Sequence, residues 1–103
     1  MNFNRINPQQ CLEMMNEKKV TLLDIRDGHA YRNAHIENAV HIEEINVDDF
    51  VDNTDKNLPL IIYCYHGHSS LSAAAYFVEK GFRDVYSMDG GFEDWRNTVT
   101  STR

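Results

Sequence analysis

The sequence predicts a single α/β domain with a mostly parallel sheet. Short apolar runs rich in strand-forming residues alternate along the chain with amphipathic stretches of helical period, which is the pattern of βαβ units. Residues 60–64 are apolar throughout, as expected for a central parallel strand that helices cover on both faces. The 103 residues suffice for one hydrophobic core, so we expect one domain over residues 1–103, with a polar, frayed tail from about residue 97.

The first half of the chain is expected to supply three helices and two strands. Asn7 and Pro8 mark a helix start, with Asn as the cap and Pro in the first turn, and apolar residues at helical spacing continue through Glu17. The expected strands are residues 20–25 and residues 39–42. The two further helices are expected at residues 28–34 and residues 45–51.

The second half continues the alternation. After the strand at residues 60–64 come six polar or flexible residues, 65–70, and then a helix over residues 71–80 that Gly81 ends. The remaining elements are a strand at residues 84–87, a turn at residues 89–91, and a last helix whose Phe92 and Trp95 are expected to close the core. Ligands of parallel α/β sheets bind beyond the carboxyl ends of strands, so the segment after the strongest strand is the first candidate site.

Composition argues against several classes of function. The formal net charge is −6 with no basic stripe, which disfavours nucleic acid as a partner, because phosphate binding needs Lys and Arg. No apolar run is long enough to span a bilayer and residues 1–5 lack the features of a signal peptide, so we expect a cytoplasmic protein without a membrane partner. Cys11 and Cys64 lie too far apart for a typical zinc site, and a disulfide is not expected in the cytosol. We expect neither a metal nor a cofactor.

The segment from Cys64 to Ser70 is the candidate active site. Such a segment can curl so that successive backbone N–H groups point inward, with Gly67 permitting the tight turn. The first turn of the following helix adds N–H groups and the positive end of its dipole, so a central cysteine sulfur would be held as a nucleophilic thiolate. The candidate nucleophile is Cys64, and the candidate substrate-binding residues are Tyr65, His66, Gly67, His68, Ser69 and Ser70. The two serine hydroxyls are expected either to donate further hydrogen bonds or to cap the helix.

A structural role is the alternative for these residues. Cys64 could be only a small apolar residue that ends a strand, which is the usual role of a free cysteine. Cys11 provides a comparison, because it lies on the apolar stripe of a helix with no glycine loop, and we expect it to be structural. His66 and His68 either face a substrate or are solvated, and the pattern leaves both possibilities open.

Four short segments of the chain resemble one protein family, in the same order. Residues 64–70, Cys-Tyr-His-Gly-His-Ser-Ser, are similar to the active-site loop of single-domain rhodaneses, most closely the GlpE-type thiosulfate sulfurtransferases. The other three segments are Leu-Asp-Ile-Arg-Asp at residues 23–27, Ala34-His35-Ile36 followed by Ala39, and Asp89-Gly90-Gly91-Phe92 with Trp95. The resemblance spans about residues 6–96, which is nearly the whole chain.

The resemblance implies both a fold and a reaction. The fold would be rhodanese-like, with a five-stranded, mostly parallel sheet and helices on both faces. The Cys64 thiolate would attack the outer sulfur of thiosulfate, or of another sulfane-sulfur donor, release sulfite and become a persulfide. The N–H groups of residues 65–69 would hold the terminal sulfur, as an oxyanion hole holds an oxygen. The acceptor would be cyanide or a dithiol protein such as thioredoxin.

Two features depart from the family pattern. Ala34 stands where the family commonly has glycine, which raises a question about the backbone there. The 64–70 segment contains no Lys or Arg to meet the thiosulfate dianion, so we expect thiosulfate to bind weakly.

The residues around the 64–70 segment are expected to support it. Asp24 and Arg26 are expected to form an internal ion pair beneath it, and Tyr65 is expected to wall the pocket. His35 and His41 are expected to be structural, with His35 bonding the backbone near the Asp24 segment.

Two rival functions would use the same cysteine. A cysteine-dependent phosphatase needs an arginine six residues after the cysteine, because a guanidinium clamps the oxyanion with two hydrogen bonds, and here that position is Ser70. A non-catalytic or carrier module, which passes a persulfide to a protein partner or only docks one, would have the same loop. The sequence leaves that second alternative open.

Overall fold

The computed structural model of the protein describes residues 3–43 and 46–99. Within these residues the strands are β1 (Asn4–Ile6), β2 (Thr21–Asp24), β3 (Val40–His41), β4 (Leu60–Tyr63) and β5 (Val85–Met88). The helices are α1 (Pro8–Glu17), α2 (Gly28–Asn33), α3 (Val47–Asn53), α4 (Ser69–Glu79) and α5 (Gly91–Thr98). None of these helices has both the length and the apolar character needed to cross a bilayer.

The five strands form one sheet in the order β1-β5-β4-β2-β3, and every neighbouring pair is parallel. The strand that is most apolar in sequence, β4, therefore lies in the middle, and all four of its residues are buried. Because all strands run the same way, their carboxyl ends meet at one edge of the sheet. Cys64 follows β4 at that edge.

Alternate residues of β4 face opposite layers of helices, because successive side chains of a strand point to opposite faces. The residues that share a core cluster with α1 and α5 include Ile61, Tyr63, Cys11 and Trp95. The residues that share a core cluster with α3 and α4 include Leu60, Ile62, Phe50 and Phe77. Helices thus cover both faces of a five-stranded parallel sheet, and the α/β prediction is confirmed.

The start of α1 is also confirmed. The side chain of Asn7 accepts the N–H of Gln10 at 2.8 Å, and the side chain of Gln10 accepts the N–H of Asn7 at 2.8 Å. This reciprocal capping box, with Pro8 in the first turn, satisfies N–H groups that the helix itself leaves unpaired.

The strand β1 is absent from the sequence prediction. Its three residues include Asn4 and Arg5, which are exposed, and only Ile6 is buried. Such a segment has no apolar run or alternation to identify it. It becomes a strand by pairing with β5, and Arg5 also forms an ion pair with Asp89, the residue after β5, at 2.8 Å.

Several boundaries differ from the prediction by one or two residues, among them three helix boundaries. The helix α4 begins at Ser69 rather than at residue 71. The helix α5 runs through Thr98 and Val99 is buried, so the first residues of the expected frayed tail are helical. The helix α3 begins at Val47, whereas the prediction began at Ile45. Ile45 lies outside the described residues, as do residues 100–103 of the expected tail.

Candidate active site

Cys64 lies between the carboxyl end of β4 and the start of α4. Its side chain is almost enclosed, with the residue only 5% exposed. The N–H groups of Gly67 and Ser70 donate to its Sγ, each at an N···S distance of 3.3 Å. Two backbone donors, one of them from the first turn of α4, therefore converge on a single sulfur. This arrangement stabilises negative charge on that atom.

Four other N–H groups of the 64–70 segment have no acceptor within the described part of the chain. They are the N–H groups of Tyr65, His66, His68 and Ser69. All four residues are exposed. The expectation that backbone amides surround the sulfur is therefore confirmed for the N–H groups of Gly67 and Ser70.

Gly67 has the role that the sequence predicts for it. Its φ of +95° lies in the region that favours glycine. A Cβ at this position would also lie 2.8 Å from the backbone nitrogen of Gly90. Any other residue would shift the turn and with it the N–H group that Gly67 directs at the sulfur.

A second support of the segment, which the sequence reasoning missed, is the N-terminus of α5. The N–H of Phe92 donates to the carbonyl of Cys64 at 2.8 Å, and the N–H of Glu93 donates to the carbonyl of Tyr65 at 3.1 Å. A Cβ on Gly91 would lie 2.4 Å from the Tyr65 carbonyl oxygen, so this close approach requires glycine. The signal in the sequence is the glycine pair at the start of the last helix, which by itself predicts only a turn.

Ser69 and Ser70 contribute in different ways. His68, not a serine, is the N-cap of α4, and its side chain makes no capping bond. The expectation of a serine cap is therefore wrong, because both serines already lie within the helix. Ser69 is exposed, whereas Ser70 is fully buried and its Oγ lies 2.7 Å from the Oγ of Ser87 on β5.

His66 and His68 are both exposed, and no side-chain hydrogen bond or ion pair to the described residues holds their rings. The ring of His66 lies near that of Tyr65, with 6.4 Å between the centroids. A substrate-binding role for either histidine stays a prediction.

Tyr65 is 44% exposed, and its hydroxyl donates to Oδ2 of Asp27 at 2.9 Å. Asp27 also caps α2, because its Oδ1 accepts the N–H of Ala30 at 2.8 Å. These two donors, first the Ala30 N–H and then the Tyr65 hydroxyl, lower the pKa of Asp27. Tyr65 lines a groove of about 870 Å³ between α1, α2 and α5, and it is the one residue of the 64–70 segment that does so.

The predicted ion pair between Asp24 and Arg26 is confirmed and is almost completely buried. Arg26 Nη2 lies 2.6 Å from Asp24 Oδ2, and Nε lies 3.0 Å from Oδ1. The Tyr63 hydroxyl donates to Asp24 Oδ2 at 2.7 Å and accepts the N–H of Ile36 at 3.1 Å. This network joins β2, β4 and the chain after α2. It includes Tyr63, the residue that precedes the candidate nucleophile.

The two histidines near this network have roles that the sequence only partly predicts. His41 Nε2 donates to the carbonyl of Arg26 at 2.6 Å, so His41 is the histidine that bonds the backbone near Asp24. His35 bonds the Tyr31 carbonyl instead, at 2.7 Å, and its expected bond near Asp24 is wrong. Both rings stack on Tyr31, with centroid distances of 3.8 and 4.8 Å, as suits structural residues.

The remaining expectations concern Ala34 and three structural residues. Ala34 has a φ of −167°, an extended conformation that any residue adopts, so the departure from glycine introduces no strain. Phe92 and Trp95 are buried in the core cluster of α1 and α5, as predicted. Cys11 is fully buried in the same cluster, and burial raises its pKa to about 12, which confirms its structural role.

Comparison with known proteins shows the family and the fold. The model of the rhodanese-like domain matches residues 7–98. The thiosulfate sulfurtransferase GlpE of Stutzerimonas stutzeri is 50% identical over 99 residues, which cover 96% of this chain and 90% of that protein. The thiosulfate sulfurtransferase GlpE of Pseudomonas entomophila is 51% identical over 96 residues, which cover 93% of this chain and 87% of that protein. The solution structure of a rhodanese-like domain from Anabaena matches with a TM-score of 0.84 at 22% identity, covering 96% of this chain and 76% of that one.

Proposed function

This chain belongs to the rhodanese-like domain family, and we propose on that premise that it is a thiosulfate sulfurtransferase in which Cys64 carries the sulfur as a persulfide. The observation that carries the assignment of Cys64 is the convergence of the Gly67 and Ser70 N–H groups on its Sγ. The two relatives that share half of the sequence bear the name of this activity. Their high coverage places the same activity on this chain.

In the first half-reaction the Cys64 thiolate attacks the outer sulfur of thiosulfate. The sulfur–sulfur bond of the donor breaks, its electron pair leaves with sulfite, and the cysteine becomes a persulfide with negative charge on the terminal sulfur. The charge thus moves one atom outward from Sγ. The unused N–H groups of Tyr65, His66, His68 and Ser69 supply donors for that outer atom, in the manner of an oxyanion hole.

In the second half-reaction an acceptor attacks the terminal sulfur and the Cys64 thiolate leaves. With cyanide as the acceptor the product is thiocyanate, and the enzyme returns to its starting state. We propose a dithiol protein such as thioredoxin as the cellular acceptor. Its first thiolate takes the sulfur, and its second thiol then forms a disulfide and releases hydrosulfide.

The proposal includes a reducing compartment and weak binding of thiosulfate. Cys11 and Cys64 are both free thiols, and a cysteine that must return to its thiolate after each cycle suits the cytoplasm. The 64–70 segment offers backbone N–H groups but no Lys or Arg to the thiosulfate dianion. We therefore expect a thiosulfate KM in the millimolar range or above, at the upper end of common enzyme values of about 1 μM to 1 mM.

The test is thiocyanate formation from thiosulfate and cyanide by the wild type, by Cys64→Ala and by Cys11→Ala. Cys64→Ala should lose at least about a thousandfold in kcat/KM, because it lacks the nucleophile of both half-reactions. Cys11→Ala, which removes a thiol of similar burial on another element, serves as the matched control and should retain turnover. Turnover that survives in Cys64→Ala would overturn the assignment.

The same proteins distinguish the carrier alternative. Mass spectrometry after incubation with a cysteine-derived sulfur donor would show whether Cys64 gains one sulfur atom. A persulfide on Cys64 without thiocyanate turnover would indicate a carrier. A Cys64 that never gains sulfur, in a protein without turnover, would leave only a docking role.

A further inference from the structure

The groove beside Tyr65 has no part in the proposed sulfur transfer. Its volume of about 870 Å³ is within the range of small-molecule sites. Cys64 is not among the residues that line it. Its apolar wall includes Leu12, Met15, Ile36, Trp95 and Val99.

A buried cation, Arg26, lies in the wall of this groove. Its side chain is 3% exposed, and its guanidinium carbon is 4.2 Å from the centroid of the Phe92 ring. Nε and Nη2 donate to the Asp24 carboxylate at 2.6–3.1 Å, and Nη2 also donates to the carbonyl of Ala34 at 2.6 Å. Nη1 donates to no atom of the residues that the structure describes.

Of the Arg26 nitrogens, Nη1 is the one left for an occupant of the groove. Among the described residues, every fully buried side-chain nitrogen has a hydrogen-bond partner, so an unpartnered Nη1 must reach accessible space. The groove is the space that Arg26 lines. The Asp24 carboxylate already accepts bonds from the backbone N–H, Nε and Nη2 of Arg26 and from the Tyr63 hydroxyl. Its acceptor positions are therefore filled without Nη1, which keeps its N–H groups for a second acceptor.

We propose that this groove is a binding site for a small organic monocarboxylate with an apolar body, whose carboxylate accepts a hydrogen bond from Arg26 Nη1. A hydrogen bond to a charged donor in a desolvated wall is stronger than one in water, which favours an anion at that point. The apolar wall favours a hydrocarbon body, which an inorganic oxyanion lacks.

The charges of the rim favour a single carboxylate over a polyanion. Two carboxylates, Glu37 and Glu93, and the cation Arg96 line the groove. Glu93 lies 3.5 Å from Arg96 in an exposed ion pair, so Glu37 is the carboxylate that repels a second negative charge on the ligand.

Binding can be measured by the fluorescence emission of Trp95, because it is the single tryptophan of the chain and lines the groove. The full chain would be titrated with octanoate, with 1-octanol and with octylamine, three probes that share the same apolar body. Octanoate should change the Trp95 emission saturably, with a Kd about tenfold or more below that of 1-octanol, and octylamine should bind most weakly. Equal titrations by octanoate and 1-octanol, or no response to either, would overturn the proposal.

Two variants assign the effect to Nη1. Arg26→Lys keeps a cation for Asp24 but has one nitrogen where the guanidinium has three. With that nitrogen held at Asp24, the variant should bind octanoate no more tightly than 1-octanol. Arg32→Gln removes a neighbouring exposed charge that does not line the groove, and it should bind octanoate as the wild type does. Octanoate selectivity that survives in Arg26→Lys, or that is lost in Arg32→Gln, would contradict the assignment.

The experiment stands even if Arg26→Lys does not fold, because the three probes already test the wild type. Cys64→Ala should bind octanoate unchanged, so the result is independent of the sulfur-transfer activity. A failure of this proposal therefore leaves the function of Cys64 untouched.

Discussion

The two cysteines are both buried, yet different groups surround their sulfur atoms. Cys11 is 0% exposed and Cys64 is 5% exposed. Cys11 is a helical residue of α1, and its Sγ lies 3.8 Å from the sulfur of Met15, a weak acceptor. Cys64 follows the central strand, and its Sγ receives two backbone N–H groups at 3.3 Å.

The comparison shows that burial alone does not determine what a cysteine does. Without donors, burial raises the pKa of Cys11 to about 12 and keeps the thiol neutral. At Cys64 the chain leaves a strand, turns through Gly67 and enters α4, so its N–H groups are not consumed by regular structure. The availability of backbone donors therefore separates the two regions.

The largest expected difference between the two regions is in their reaction with iodoacetamide. At pH 8 in the native protein, Cys64 should be alkylated at least about a thousandfold faster than Cys11, because a thiol with a pKa of about 12 is only about one part in ten thousand ionised. Timed quenching followed by peptide mass spectrometry measures both rates. In guanidinium the two rates should become similar. Similar rates in the native protein would show that the two regions do not differ in reactivity.

The second effect comes from Gly91, which lets α5 approach the carbonyls on either side of Tyr65. Gly91→Ala would place a Cβ 2.4 Å from the Tyr65 carbonyl oxygen and tilt the peptide groups of the 64–70 segment. We expect a loss of about a hundredfold in kcat/KM for thiosulfate, the effect of moving a reacting group by about 1 Å.

Gly81→Ala is the matched control for Gly91→Ala. Gly81 also has a positive φ, of +100°, but a Cβ there would meet only the Lys56 side chain, at 3.6 Å. Both variants should lose stability, and only Gly91→Ala should lose most of the sulfur transfer. Equal activities in the two variants would show that α5 does not position the segment.

A third and smaller effect is expected from the buried hydroxyl pair of Ser70 and Ser87. Ser87→Ala leaves the Ser70 hydroxyl without its partner, a cost of about 1–3 kcal/mol in the free energy of unfolding. Because the Ser70 N–H donates to Cys64, we also expect kcat to fall by up to about tenfold. The double variant Ser70→Ala/Ser87→Ala should be more stable than Ser87→Ala, since no hydroxyl is left unpaired. Additive losses in this double-mutant cycle would contradict the coupling.

The sequence predicts well those features that depend on a residue and its near neighbours. The apolar run of β4, the Asn7 cap of α1 and the turn at Gly67 are all local, and all are confirmed. The ion pair between Asp24 and Arg26 joins residues two positions apart, and it is confirmed as well.

The features that the sequence misses depend on which distant segments meet. β1 is a strand only because β5 lies beside it, and Ser70 finds its partner 17 residues away on that strand. The support of Cys64 by α5 likewise requires the glycine pair to meet a carbonyl from another part of the chain. The paired glycines alone predict an unusual turn. They do not indicate which segment the turn packs against.

The smallest effect on sulfur transfer is expected from Cys11→Ala, which tests the other side of the comparison. The variant leaves a small cavity among α1 core residues and should cost about 1–2 kcal/mol in the free energy of unfolding, while kcat/KM stays within about twofold.

The raised pKa of Cys11 should also make the stability of the wild type depend on pH in alkaline solution. A pKa raised by folding stabilises the protein below the unfolded value of 9.0, and this contribution is lost as the pH rises towards about 12. Denaturant titrations from pH 8 to pH 11 should therefore show the difference between the wild type and Cys11→Ala shrinking as the pH rises. A constant difference would mean that Cys11 is ionised as readily in the folded chain as in the unfolded one.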